Sequence, residues 1–234
     1  MNFRNNIPAL LFVAALISCA PAPTQTQTQT PTPQPPGEAI ADSSANSNYA
    51  AYIGIGFAYS ENGNYDKAID NYTKAIQLNP NYAEAYGVRG DAYYKKKDYD
   101  KAIADYTQAT RINPAFAKAY NNRGYAYDDK GEYDQAIADY TQAIRINPNY
   151  AGAYLNRGNA YYNKADYDQA IADYTQAIQL NPNLPGVYTS RGNAHYFKKD
   201  YDQAIADYET ALRIDPDNAE AKEMFALLRA ALRL

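Results

Sequence analysis

The stretch Tyr154–Pro182, YLNRGNAYYNKADYDQAIADYTQAIQLNP, recurs in almost the same words on both sides of itself. Aligning its Tyr-Asp and Asn-Pro landmarks gives a period of 34 residues, with five copies at 49–82, 83–116, 117–150, 151–184 and 185–218 and no insertion between them. A constant period of this size predicts a solenoid, because so short a unit cannot enclose its own apolar face and must bury it against its neighbours.

Within each copy, positions 4, 7, 8 and 11 form one stripe at helical spacing and positions 17, 20, 21, 24 and 27 form a second. Each copy is therefore expected to be a pair of helices, A and B. Gly at position 8 (Gly56, Gly90, Gly124, Gly158, Gly192) and Ala at position 20 (Ala68, Ala102, Ala136, Ala170, Ala204) remove bulk where the two helices meet. Between the helices, Gly63 and Gly131 suit the end of helix A, and Asn64, Asp98, Asp166 and Asp200 suit the N-cap of helix B. Pro at position 32 stops helix B, and the residue after it is expected to cap the next helix A, with Asn81–Glu84 and Asp217–Glu220 as capping boxes. After the fifth copy, residues 219–234 carry Met224, Phe225, Leu227, Leu228 and Leu232 on an amphipathic helix that would cover the open end of the stack.

Tyr at position 4, Gly at 8, Tyr at 11 (His195 in the fifth copy), Ala at 20, Tyr at 24 and Pro at 32 resemble the tetratricopeptide repeat over 170 of the 234 residues. The resemblance implies an all-α, right-handed α-solenoid of five helix-turn-helix units plus the C-terminal capping helix. It also implies a groove lined by helix A at positions 2, 5, 6, 9, 12 and 13. On this sequence those positions single out Asn121, Asn122 and Tyr125 in the third copy, and Leu155, Asn156, Asn159 and Tyr162 in the fourth. In the fifth they give Asn193, Tyr196 and Phe197. Asn amides can satisfy both the N–H and the C=O of an extended peptide, and Tyr adds flat contact area at low entropic cost. The corresponding sets in the fourth and fifth copies contain no charge, which suits main-chain recognition. The alternative is that these are ordinary surface residues of a Tyr-rich repeat. Asn122 and Asn156 resemble the asparagine ladder of the O-linked N-acetylglucosamine transferase repeats, although Val88 and Ser190 interrupt it. The basic residues of the chaperone-type carboxylate clamp are not assembled across consecutive copies.

One pattern goes beyond the family's. Position 7 is Arg in copies two to five (Arg89, Arg123, Arg157, Arg191), and position 23 is Asp in the same copies (Asp105, Asp139, Asp173, Asp207). The first copy has Ile55 and Asn71 instead. The joint change predicts an ion pair between helix A and helix B beside the core.

Acidic residues outnumber basic ones 26 to 22, and no long basic run lies in the repeats, so the electrostatic footprint of a nucleic-acid binder is missing. Lys95–Lys97 and Lys198–Lys199 fall at inter-helix turns and read as solvated surface.

At the other end, residues 1–18 combine Arg4 with an apolar run from Ile7 to Ile17 and read as a signal peptide. The run is shorter than the ~20 residues a membrane span needs. Its end, Leu16-Ile17-Ser18-Cys19, resembles the bacterial lipobox, which implies cleavage before Cys19 and acylation of Cys19; ordinary cleavage after Ala20 is the alternative. Fifteen of the sixteen residues 21–36 are Pro, Thr or Gln, so 19–48 is expected to be a lipidated cysteine followed by a disordered tether.

No catalytic set stands out. His195 takes a position that is Tyr in the other copies, Gly54-Ile55-Gly56 does not extend to a nucleotide-binding fingerprint, and Asp128-Asp129-Lys130-Gly131-Glu132 places Lys at a calcium-ligand position. No enzyme activity, cofactor or metal is expected. The expected role is a non-enzymatic scaffold of the bacterial cell envelope, anchored by lipid and holding a protein or peptide segment in its groove. Such a layout looks like the lipoproteins with these repeats that assist pilus secretin or outer-membrane barrel assembly. Glycan or peptidoglycan binding and a cytosolic adaptor are the alternatives.

Overall fold

The structure, a computed structural model, describes residues 43–232, with side chains from Asn48 onward. The stretch 1–18 expected to be a signal peptide, and Cys19 expected to be acylated, lie outside the described residues. Eleven α-helices and no strand occur among those described: α1 (Ser43–Glu61), α2 (Tyr65–Leu78), α3 (Ala83–Lys95), α4 (Tyr99–Ile112), α5 (Ala117–Asp129), α6 (Tyr133–Ile146), α7 (Ala151–Asn163), α8 (Tyr167–Leu180), α9 (Pro185–Phe197), α10 (Tyr201–Ile214) and α11 (Ala219–Leu232). Odd-numbered helices from α1 to α9 are the A helices, and even-numbered ones are the B helices. The first helix begins at Ser43, inside the stretch expected to be tether. The last proline before it is Pro36, and the Ser, Ala and Asn residues that open the helix contain no breaker.

Each A helix packs on its own B helix, and each B helix packs on the A helix that follows. The core therefore forms at the seams. In one such seam Ala170, Tyr174 and Ala177 of α8 meet Val187 and Ala194 of α9. Tyr at position 24 is the largest fully buried side chain in every copy: Tyr72, Tyr106, Tyr140, Tyr174 and Tyr208. Position 8 must be Gly because the ring lies on it; a Cβ at Gly158 would sit 2.8 Å from Tyr174 Cε1. At the end of the stack α11 buries Ala221 and Leu228 against Ala204, Tyr208 and Ala211, as a cap should.

A Schellman pattern closes the A helices. In α7 the Ala165 N–H donates to Tyr162 O at 2.8 Å and the Asp166 N–H to Tyr161 O at 2.9 Å. Position 15 is left-handed in all five copies. Gly63 (φ 72°) and Gly131 (φ 75°) suit it, whereas Lys97 (61°), Ala165 (60°) and Lys199 (68°) adopt it despite carrying a Cβ. Asn64, Asp98 and Asp166 cap their B helices by accepting from the N–H of Lys67, Lys101 and Gln169. Asp200 makes no such bond; its carboxylate lies 3.6 Å from His195 Nδ1 and 3.8 Å from Lys198 Nζ.

The capping boxes expected at Asn81 and Asp217 are not formed. Position 31 carries an Asx side chain that folds back to accept the N–H two residues on: Asn79 Oδ1 from Asn81 at 3.2 Å, and Asp215 Oδ1 from Asp217 at 3.0 Å. This Asx turn carries the chain past Pro and moves each helix start one residue later. Helix α3 starts after Tyr82 without a side-chain cap, and Asn218 accepts from Ala221 N–H at 3.0 Å at the start of α11.

The four Arg–Asp pairs all form as two-pronged forks. Arg89 Nε and Nη2 reach the two carboxylate oxygens of Asp105 at 2.8 and 2.7 Å, and Arg123–Asp139, Arg157–Asp173 and Arg191–Asp207 repeat the geometry. The bond to Asp105 holds the Arg89 guanidinium even more firmly protonated than usual. Each guanidinium also lies over the Tyr ring at position 4, for example Arg123 at 5.4 Å from the Tyr120 centroid. Its remaining nitrogen crosses the seam: Nη1 of Arg89, Arg123, Arg157 and Arg191 donates to Thr73, Thr107, Thr141 and Thr175 of the preceding copy. On the exposed side, Lys at position 14 pairs with Asp at position 18 of the copy before: Lys96–Asp66, Lys130–Asp100, Lys164–Asp134 and Lys198–Asp168.

Candidate functional site

Successive A helices touch directly from α3 to α9, while no successive B helices make comparable contact. The stack of repeats therefore curves toward its A helices, and their outward residues line the concave side. The structure brings the sequence-derived groove residues together as a connected row rather than as isolated side chains. Asn121 Nδ2 donates to Asn122 Oδ1 at 3.3 Å, Asn122 Nδ2 to Asp91 Oδ1 at 2.9 Å, and Asn156 Nδ2 to Asn121 Oδ1 at 3.1 Å. Asn159 Oδ1 accepts from the buried Tyr174 hydroxyl at 2.9 Å. Asn193 is used at both ends, accepting from Tyr208 Oη at 2.7 Å and donating to Glu220 at 2.8 Å. Much of the amide capacity thus ties one copy to the next, but among the described residues Asn156 keeps its oxygen and Asn159 its nitrogen uncommitted.

The aromatic members cluster at the C-terminal ends of the A helices. Tyr162 meets Phe197 edge-on at 5.8 Å, and Phe197 stacks on Tyr167 at 5.3 Å and 12°. Tyr196 packs edge-on against Phe197 at 5.5 Å. Tyr125 meets Tyr94 edge-on at 5.5 Å, and Leu155 packs, half-buried, against the α8–α9 core. Phe197 remains 46% exposed, so this cluster offers an apolar ring face to a ligand.

In the third copy the face turns acidic. The Tyr94 hydroxyl donates to Asp129 Oδ2 at 2.5 Å, and burial followed by that bond pushes its pKa up. Burial, aided by the charge on Asp129 and opposed by a hydrogen bond from Asn163, raises Asp128 to about 6. Asp128 Oδ1 and the neighbouring Tyr140 hydroxyl are buried without a hydrogen-bond partner. In the second, fourth and fifth copies the Tyr at position 24 finds position 9, as Tyr106 does at Asp91 (2.7 Å); in the third copy position 9 is Tyr125.

A cleft of about 250 Å³ opens between α1, α3 and α5. Ile53, Phe57, Val88 and Phe116 supply its apolar lining, and Glu84, Asp91 and Lys118 its charge. Sequence reasoning placed the groove in copies three to five and missed this cleft. Its signal is Gly87 at position 5, where other copies carry Ile53, Asn121, Leu155 and Thr189. Among the described residues no group of three metal-ligating side chains converges, and no helix is long and apolar enough to cross a membrane.

The tetratricopeptide repeat profile matches residues 49–82, 117–150, 151–184 and 185–218, and related repeat profiles match 71–104 and 90–130. No curated protein matches the chain in sequence. Among solved structures, MamA is 28% identical with a TM-score of 0.67, over 75% of this chain and 96% of MamA. Pseudomonas aeruginosa pilF has a TM-score of 0.73 at 21% identity, over 81% of this chain and 86% of its own. YrrB, described as a TPR protein with an unusual peptide-binding site, has a TM-score of 0.65 at 21% identity, over 76% of this chain and 92% of its own. With the profile covering more than half of the chain and the structure repeating its helical hairpin from end to end, this protein belongs to the tetratricopeptide repeat family.

Proposed function

We propose that the protein is a non-enzymatic scaffold that holds an extended segment of a partner protein along its row of A helices. The observation that carries this reading is the pairing of Asn156 and Asn159 on one face of α7, with a carbonyl oxygen free on the first and an amide nitrogen free on the second. An acceptor and a donor three residues apart on a helix match the C=O and N–H that an extended main chain presents. The half-exposed rings of Tyr162 and Tyr196 and the exposed ring of Phe197 add rigid apolar area beside them. The same fold carries a peptide-binding site in YrrB.

Replacing both Asn156 and Asn159 by Glu is expected to abolish partner capture while leaving the helical circular-dichroism spectrum unchanged, with a lowered melting temperature because a carboxylate in place of Asn156 cannot donate to Asn121. Full capture by that variant would defeat the reading. In this proposal the scaffold works at the bacterial envelope, held by acyl chains on Cys19 at ~0.8 kcal/mol per buried methylene. Radioactive fatty-acid labelling that survives Cys19→Ala would remove the anchor without touching the groove.

A further inference from the structure

We infer that the cleft between α1, α3 and α5 is a side-chain anchor pocket, taking a branched aliphatic or aromatic residue of the bound segment that has a basic residue beside it. This deepens the proposed function and rests on the A-helix row being the binding face. Three observations support it. The space exists because position 5 of the second copy is Gly87; a Cβ there would already lie 3.3 Å from Phe116 Cε1, and a larger side chain would occupy the cleft. The apolar lining is partly uncovered, with Phe57 48% exposed although its ring meets Tyr72 edge-on. A volume of about 250 Å³ is enough for one large side chain, not for a drug-sized ligand.

Charge selects the neighbour. Glu84 and Asp91 line the cleft with one cation, Lys118, whose Nζ is 3.9 Å from Asp91 Oδ2. Farther along the same row come Asp128 and Asp129, neither ion-paired among the described residues, with Asp129 accepting from the Tyr94 hydroxyl and hydrogen-bonded to Tyr99. Along this row of the second and third copies the carboxylates Glu84, Asp91, Asp128 and Asp129 outnumber the ammoniums Lys95 and Lys118, which favours Lys or Arg next to the anchor and disfavours Asp or Glu. The row then divides its work. The amides and rings of the fourth and fifth copies hold main chain, and the cleft in the first three copies reads sequence.

The test is selection of a random dodecapeptide display library on the full chain. Selected peptides are then titrated, intact and with single Ala replacements, against wild type, Gly87→Leu and Phe57→Ala. Position 5 already holds Leu155 in the fourth copy, so Gly87→Leu suits the helix, and Phe57 lies outside the buried core. The expected peptides share an apolar residue adjacent to Lys or Arg. Losing the apolar side chain, or filling the pocket with Gly87→Leu, should weaken binding roughly 10- to 100-fold, and Phe57→Ala less so. Peptides lacking that pair, or bound as tightly by Gly87→Leu, overturn the pocket; if Asn156→Glu still abolishes their binding, the groove reading survives. A library with no enriched peptide overturns both.

Discussion

Arg157 Nη1 donates to Thr141 Oγ1 at 2.9 Å across the seam between two copies, while Nε and Nη2 of the same guanidinium hold Asp173. One side chain thus joins its own A and B helices and fastens them to the preceding unit. Position 25 is Thr in the first four copies and Glu209 in the fifth, the copy whose following helix has Phe225 at position 7 instead of Arg. Thr141→Val should lower stability by about 1 kcal/mol, and Arg157→Lys, which loses the fork, by about 2 kcal/mol. Urea unfolding of both variants beside wild type measures the difference.

The Tyr residues at position 24 provide an internal control. Tyr174 and Tyr208 donate to Asn159 and Asn193 at 2.9 and 2.7 Å, whereas the Tyr140 hydroxyl is buried without a partner. Tyr174→Phe and Tyr208→Phe should each cost about 1 kcal/mol, and Tyr140→Phe should be neutral or stabilising because it removes an unsatisfied polar group. Thermal melts of the three variants will show whether the order holds.

Ala165 occupies the left-handed position at φ 60° that Gly131 fills in the copy before. Relieving its Cβ by Ala165→Gly should raise stability by about 1 kcal/mol, and Gly131→Ala should lower it by a similar amount. Opposite shifts of the urea midpoint at unchanged slope would confirm that the effect is local to the turn.

Asp128 titrates at about 6 in the folded protein, chiefly because burial disfavours its charge, with Asp129 adding to the effect. A carboxyl raised above its unfolded value binds its proton more tightly when folded. Its favourable contribution is therefore full below the unfolded pKa near 4 and is lost as pH rises through 6. Asp128→Asn keeps the shape without the charge, so it should stabilise the protein at pH 7 to 8 by at most about 3 kcal/mol. The gain should shrink toward zero by pH 4. A gain that does not depend on pH would mean that the carboxylate charge is not the cause.

The helical hairpins and their seams were legible because the 34-residue period, the small residues at positions 8 and 20 and the apolar stripes all point to one packing. The Arg–Asp forks were legible because Ile55 and Asn71 change together in the first copy. The matching change at Glu209 pointed equally to the Thr contact, but its partner lies in the next unit rather than in its own. Local capping was misplaced by one residue because Asn and Asp occur at both positions 31 and 33, and only the turn geometry shows that the side chain at 31 folds back. The groove residues could be placed by position, yet no single repeat reveals that Asn121, Asn122 and Asn156 bond to one another along the row. The cleft at Gly87 was hidden for the same reason, since three helices from three copies enclose it.

Site-specific photo-cross-linking tests the capture of a partner along the A helices most directly. A benzophenone amino acid at Asn159, on the A face of α7, is compared with one at Gln176, exposed on the B helix α8. Cross-links from Asn159 to a single extended stretch of one partner protein, with none from Gln176, are the predicted result. Cross-links from Gln176 alone, or equally from both positions, would contradict it.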